Sequence, residues 1–153
     1  MKPKIAVFHN LPSGGAKRVL FENLKGLRNF FDFYLYDVRG PYDNFLNIRS
    51  LASQTFSYEF KETPVLPKPF GFLNSFCRIF DLYKLNQLHK KIALEIDKKE
   101  YSLVFIFADR FTQTPFLLKH LKTKTLYYAH DPYIRSIYEK EIERPIKISS
   151  LKE

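Results

Sequence analysis

The chain has 153 residues, near the modal size of one domain, which excludes two complete domains but allows one sizeable core. Phe and Tyr are abundant, the apolar fraction is ordinary, and no stretch approaches the roughly twenty apolar residues of a membrane span. A formal charge of +9, shared by both halves without a basic tail, favours anionic partners in general, from nucleotide diphosphates to lipid headgroups and nucleic acid.

The N-terminus, MKPKIAVFHN, places two lysines before an apolar run of about four residues, Ile5 to Phe8. A signal-peptide core needs roughly 7 to 15. The run therefore reads as a first strand of a cytoplasmic protein, and the single cysteine, Cys77, excludes an internal disulfide or a cysteine zinc cluster. The turn Pro12-Ser13-Gly14-Gly15 follows, and Val19, Leu20, Leu24 and Leu27 at helical spacing predict a helix starting near Ala16. Phe31 to Val38 reads as a second strand ending at Gly40-Pro41.

From Pro41 to Pro69 the pattern is poor, apart from strand-like alternation over Phe56 to Phe60 and an extended connection imposed by Pro64, Pro67 and Pro69. Phe72, Phe76, Ile79, Phe80 and Tyr83, continuing with Leu88, Ile92 and Ile96, predict a long helix. Leu103 to Phe107 is a continuous apolar run, as expected of a strand buried on both faces of a parallel sheet. A short helix is expected from Thr114-Pro115 through Leu121, a strand over Thr125 to Ala129, and helix again from Pro132.

This alternation predicts an α/β fold, a Rossmann-like parallel sheet with helices on both faces. Ligands of such sheets bind beyond the carboxyl ends of the strands, which directs attention to three loops. In the first, Gly14 and Gly15 let backbone N–H groups approach an anion beside a helix N-terminus, with His9, Lys17 and Arg18 adjacent. The pair serves equally well as a sharp turn, and neither G-x-G-x-x-G nor G-K-[ST] is present. The middle loop offers Asp109, Arg110, Thr112 and Gln113, either as hydrogen-bonding groups for a substrate or as a helix cap with a local ion pair. The last offers His130, which could bond a sugar hydroxyl or act as acid or base, with Asp131 to fix its tautomer, or else a simple surface histidine.

No acid or cysteine has metal-ligand spacing to His9 or His130, so no metal is expected. Ser13 lacks a nucleophile elbow, and Glu139, Glu141 and Glu143 read as a solvated helix face. The stretch Phe70 to Phe80 with Arg78, Lys84, Lys90 and Lys91 suits a membrane surface, while a stripe of its size is commonly core packing.

Taken together, KIAVFHN, PSGGAKRVL, DRFTQTPFLL and TLYYAHDP resemble, in order and spacing, the N-terminal domain of family-4 glycosyltransferases of GT-B architecture. The resemblance implies a retaining, metal-independent sugar transfer without a further cofactor, from a nucleotide-sugar donor to a glycan or lipid-linked acceptor. It places Gly14 and Gly15 against the donor diphosphate and His130, as the catalytic residue, across the cleft from the donor sugar. Family members more often have Glu or Gln near Asp131 and small residues at Asp109.

In such enzymes a second Rossmann-like domain grips most of the donor. The resemblance therefore implies that 1–153 is an N-terminal, acceptor-side domain or fragment, inactive alone and in need of a C-terminal donor-binding domain on another chain. A non-catalytic binding or membrane-docking module, peripheral at the inner face of the membrane and partnering a full transferase, is the alternative. No nucleic-acid-binding signature accompanies the basic charge.

Overall fold

Ile5, Ala6, Val7 and Phe8 form an uninterrupted apolar run because the strand they make is covered on both sides. A computed structural model describes residues 2–39 and 46–129. Strand β1 (Lys4–Asn10) lies at the centre of a five-stranded sheet with β2 (Asp32–Arg39), β3 (Gln54–Glu59), β4 (Leu103–Asp109) and β5 (Thr125–Tyr128). The order is β3-β2-β1-β4-β5 and every pairing is parallel, with Val7 opposite Leu35 on one side and Phe105 on the other. Helices flank the sheet, so the expected Rossmann-like α/β fold is present.

Alternation along the strands divides the core into two layers. Ile5, Val7, Phe33, Leu35, Phe105 and Phe107 face helix α1 (Gly15–Leu27), which contributes Leu20 and Leu24. A short turn of 3-10 helix, Ile48–Leu51, closes this layer with Ile48. On the other face Ala6, Phe8, Tyr36, Val38, Val104 and Ile106 pack against α2 (Asn74–Asp97) and the single-turn α3 (Leu117–His120). Many of the aromatic residues are used here. Tyr36 stacks on Phe56 with ring centres 4.7 Å apart and shares a hydrogen bond of 3.0 Å with the Tyr101 hydroxyl.

The strands fall within a residue or two of their expected positions. The helix expected over Thr114 to Leu121 is only one turn long, because Leu121 returns to extended backbone. Gly40-Pro41 and the segment from Pro132 lie outside the described residues.

The largest departure concerns α2. At 24 residues it is about 36 Å long, whereas the seven residues of β4 span about 23 Å. Its buried residues begin only at Asp81 and continue through Leu85, His89, Ile92, Ala93 and Ile96. In a right-handed parallel crossover the helix runs antiparallel to the strands, so the excess projects past their carboxyl edge. Phe70, Phe72, Phe76, Ile79, Phe80 and Tyr83, on and just before this overhang, are each at least 57% exposed. Core packing, the commoner use of such a stripe, is therefore not what this one does.

Candidate functional site

The first loop begins where β1 ends. His9 and Asn10 are buried, and His9 accepts the Leu11 N–H at Nδ1 over 3.4 Å. The chain then turns at Gly14, whose backbone angles (φ 155°, ψ −170°) lie in a region open almost only to glycine. Gly14 is also the N-cap of α1, and with no side chain capping it and no acid in the first turn the leading N–H groups keep their positive partial charge. Among the described residues a Cβ placed on Gly14 or Gly15 meets nothing within 4 Å. The turn therefore opens onto space, and only Gly14 needs to be glycine on backbone grounds.

Beside the turn is a cavity of about 230 Å³ lined by His9, Lys17, Asp37, Ile48 and Arg49, with Leu35, Leu46 and Asn47 completing it. It lies at the carboxyl ends of β1 and β2. Sites that enclose whole drug-sized ligands run to roughly 300–1,000 Å³, so this one is matched to a single group of a ligand. Lys17 lines it at 2% exposure, not on a solvated face, while Arg18 next to it is exposed. Oδ2 of Asp37 accepts both Nε and Nη2 of Arg49, at 2.9 and 2.7 Å. Its Oδ1 is buried without a hydrogen-bond partner among the described residues, which leaves an acceptor for a ligand hydroxyl or N–H.

Asp37 and Arg49 were not foreseen from sequence. The signal for Asp37 was present: it ends the second strand about twenty residues after the glycines, where Rossmann sheets place an acid that meets a ribose hydroxyl. Nothing comparable marks Arg49, which a 3-10 turn brings back across the chain.

The middle loop plays a different part. Asp109 is buried, and its carboxylate accepts the Phe111 N–H at 2.7 Å, the Thr112 N–H at 3.1 Å and Nδ2 of Asn10 at 3.0 Å. The loop closes through paired backbone hydrogen bonds between Asp109 and Gln113, both 2.8 Å. Of the two readings the sequence left open for Asp109, a substrate contact or a local cap, the structure displays the capping contacts: the carboxylate is buried and holds the loop. The Thr112 hydroxyl is likewise turned inward, to Asp109 and the Thr114 carbonyl. Arg110 pairs with Glu62 across the sheet edge and lies over the Phe111 ring. Gln113 is exposed.

Asn10 thus joins the first and middle loops, since its carbonyl also accepts the Arg110 N–H at 3.1 Å. A second cavity, about 270 Å³ and mostly apolar, opens on the far side of the middle loop among Phe60, Leu82, Leu85 and Phe111, with Arg78 and Asp81 at its edge. Among the described residues His9 and Lys17 thus line one cavity with Asp37 and Arg49, Gly14 and Gly15 lie just before Lys17 at the start of α1, and Arg110, Thr112 and Gln113 do not line that cavity. His130 and Asp131 lie outside the described residues. Among the described residues no cluster of three or more His, Cys, Asp or Glu is placed to hold a metal ion. No protein-family model, curated protein or solved structure matches the chain.

Proposed function

We propose that this chain is the N-terminal, Rossmann-like type of domain found in sugar-transfer enzymes of GT-B architecture, and that it receives the diphosphate of a nucleotide-sugar donor at the Gly14-Gly15 turn. The observation that carries the reading is that, among the described residues, a helix N-terminus whose N-cap glycine offers no side chain, open space over both glycines and a polar cavity lined by Lys17 lie close in the chain at the carboxyl edge of a parallel sheet. A diphosphate is small enough for that space. Its charge is met by the first N–H groups of α1 and by Lys17, while Asp37 offers an acceptor to a hydroxyl of the same ligand.

In this reading the chain binds and orients phosphate and leaves sugar chemistry to residues facing it, for which the sequence resemblance nominates His130. Backbone N–H groups suit a diphosphate leaving group because they stabilise its growing charge without any proton transfer.

Amide NMR with the 153-residue chain tests the site directly, since it detects weak binding residue by residue. Millimolar uridine or guanosine diphosphate, or inorganic pyrophosphate, is expected to shift the amides of Gly14, Gly15, Ala16 and Lys17 and to leave those of β3 in place. Lys17→Met should reduce the shifts about tenfold at a given concentration, the value of one charge-assisted contact. Shifts confined to other residues, or none at all, would overturn the proposal.

A further inference from the structure

The overhang of α2 is an apolar surface that the fold does not use. Phe70, Phe72, Phe76, Ile79, Phe80 and Tyr83 are 57–71% exposed. Together they present on the order of 700 Å² of largely apolar surface, above the roughly 300–600 Å² of the largest patch on a typical monomer. At 100° per residue Phe76, Ile79, Phe80 and Tyr83 fall within an arc of about 120° on the side of the helix opposite Leu85, Ile92 and Ile96. Lys90 and Lys91 continue that same arc toward the C-terminus and are exposed.

The charge on the helix itself is mostly positive, and the acids that meet it, Asp81 and Glu62, pair with Arg78 and Lys84 at its base. From Asn74 to Leu94 the sole acid is Asp81. It is buried, accepting the Thr63 N–H and hydroxyl at 2.9 and 2.7 Å, and it pairs with Arg78 and Lys84. Those bonds, with Asn74 gripping both the N–H and the carbonyl of Leu66, strap the Pro-rich segment 61–69 to the overhang. The aromatics are thereby presented on a braced support, with the Lys84 ammonium 5.1 Å from the centre of the Phe80 ring.

We propose that the overhang docks on an anionic lipid bilayer, with Phe72, Phe76, Ile79 and Phe80 entering the headgroup and upper acyl region and the exposed Lys90 and Lys91 meeting lipid phosphates. Composition decides for lipid over a protein partner. Protein interfaces are depleted in Lys, whereas Phe on one part of a helix and Lys beside it mark segments that lie in a membrane interface. The inference rests on these residues alone and does not depend on the sugar-transfer reading.

Vesicle flotation with the 153-residue chain tests it, comparing phosphatidylcholine alone with phosphatidylcholine in which a third of the lipid is phosphatidylglycerol. The wild type is expected to float with the anionic vesicles and not with the neutral ones, and to be released by salt. F72S/F76S/F80S, confirmed folded by circular dichroism, should lose about tenfold or more in binding, and K90E/K91E should lose the preference for anionic lipid. Should the triple variant fail to fold, Phe76→Trp gives the answer, because the chain has no other Trp. Its emission should shift to the blue on anionic vesicles and be quenched by brominated acyl chains. Equal flotation with both vesicles, unchanged binding of both multiple variants, or unshifted Trp emission would overturn the proposal. So would light scattering that shows a wild-type dimer, with a monomeric triple variant and no vesicle binding, since the face would then be a protein interface.

Discussion

Nε2 of His89 lies 3.5 Å from Oδ2 of Asp109, and both side chains are fully buried between α2 and the end of β4. The imidazole packs edge-on against Phe8, with ring centres 5.1 Å apart, and neither ring nitrogen has a hydrogen bond among the described residues. Burial holds its pKa well below the usual value, the Asp109 carboxylate opposes that shift, and His120 adds to it. An unfolded chain takes up this proton near pH 6.5 whereas the native chain does not, so native stability falls as pH drops below about 6.5. Urea unfolding at pH 7.5 and at pH 5 should differ by at least about 1 kcal/mol in favour of the higher pH. His89→Leu, near in volume and unable to titrate, should remove most of that difference. An unaltered pH dependence in the variant would show that the imidazole takes up its proton inside the fold.

The two glycines of the first turn should separate into one needed for folding and one needed for binding. Gly14→Ala places a Cβ on a backbone that non-glycine residues rarely adopt and should cost about 1–3 kcal/mol, read from urea unfolding. Gly15 begins the helix at ordinary angles with open space where a side chain would go. Gly15→Val should therefore leave stability within about 1 kcal/mol while placing a branched side chain where a diphosphate would lie. Diphosphate-induced amide shifts equal to wild type in Gly15→Val would leave the pair as a tight turn and nothing more.

Asp81 holds the overhang to the strap before it. Burial raises its pKa, but hydrogen bonds from Lys84 and Thr63 outweigh burial and lower it to about 2. A depressed carboxylate contributes stability above its unfolded value near pH 3.9, and that contribution is lost as pH falls through about 4 toward 2. Asp81→Asn keeps the shape and removes the charge, and should cost about 1–3 kcal/mol at pH 7 with a shallower acid transition. Hydrogen exchange localises the effect: amides of residues 61–69 should exchange faster, while those of β1 and β4 keep their protection.

The central strands were legible because each answers to one constraint. Ile5 to Phe8 and Leu103 to Phe107 must be apolar at every position when both faces are covered, whereas the edge strand β3 shows only alternation over Phe56 to Phe60. The site was half legible. Lys17 stood out beside the glycines, but the sequence could not say that it is enclosed, because burial of a lysine depends on what crosses over it, here the segment carrying Ile48 and Arg49. Asp109 stood between two readings for a related reason. A carboxylate at a strand end looks the same in sequence whether it turns to a ligand or back onto the Phe111 and Thr112 N–H groups.

The apolar positions of α2 misled differently, and there the information was in the sequence. Phe76, Ile79, Phe80 and Tyr83 share one side at 100° per residue, but Leu88, Ile92 and Ile96 fall on the other, so the apolar series is two stripes out of phase. One helix cannot bury both stripes against one sheet.

That phase break yields a last prediction, in which two large apolar side chains of the same helix behave oppositely. Ile92 is fully enclosed in the layer formed with Ala6, Phe8 and Ile106, and Ile92→Ala leaves a cavity there, costing about 2–5 kcal/mol. Phe76 is 68% exposed on the overhang, so the unfolded chain gains little by exposing it. Phe76→Ser should change stability by no more than about 0.5 kcal/mol in urea unfolding, the range of ordinary surface substitutions. It should also make the chain more soluble, because the apolar patch is reduced while the lysines around it remain. A cost for Phe76→Ser near that of Ile92→Ala would mean that the overhang is packed in solution. The aromatic face would then belong to the core after all, and no surface would be left there to meet a bilayer.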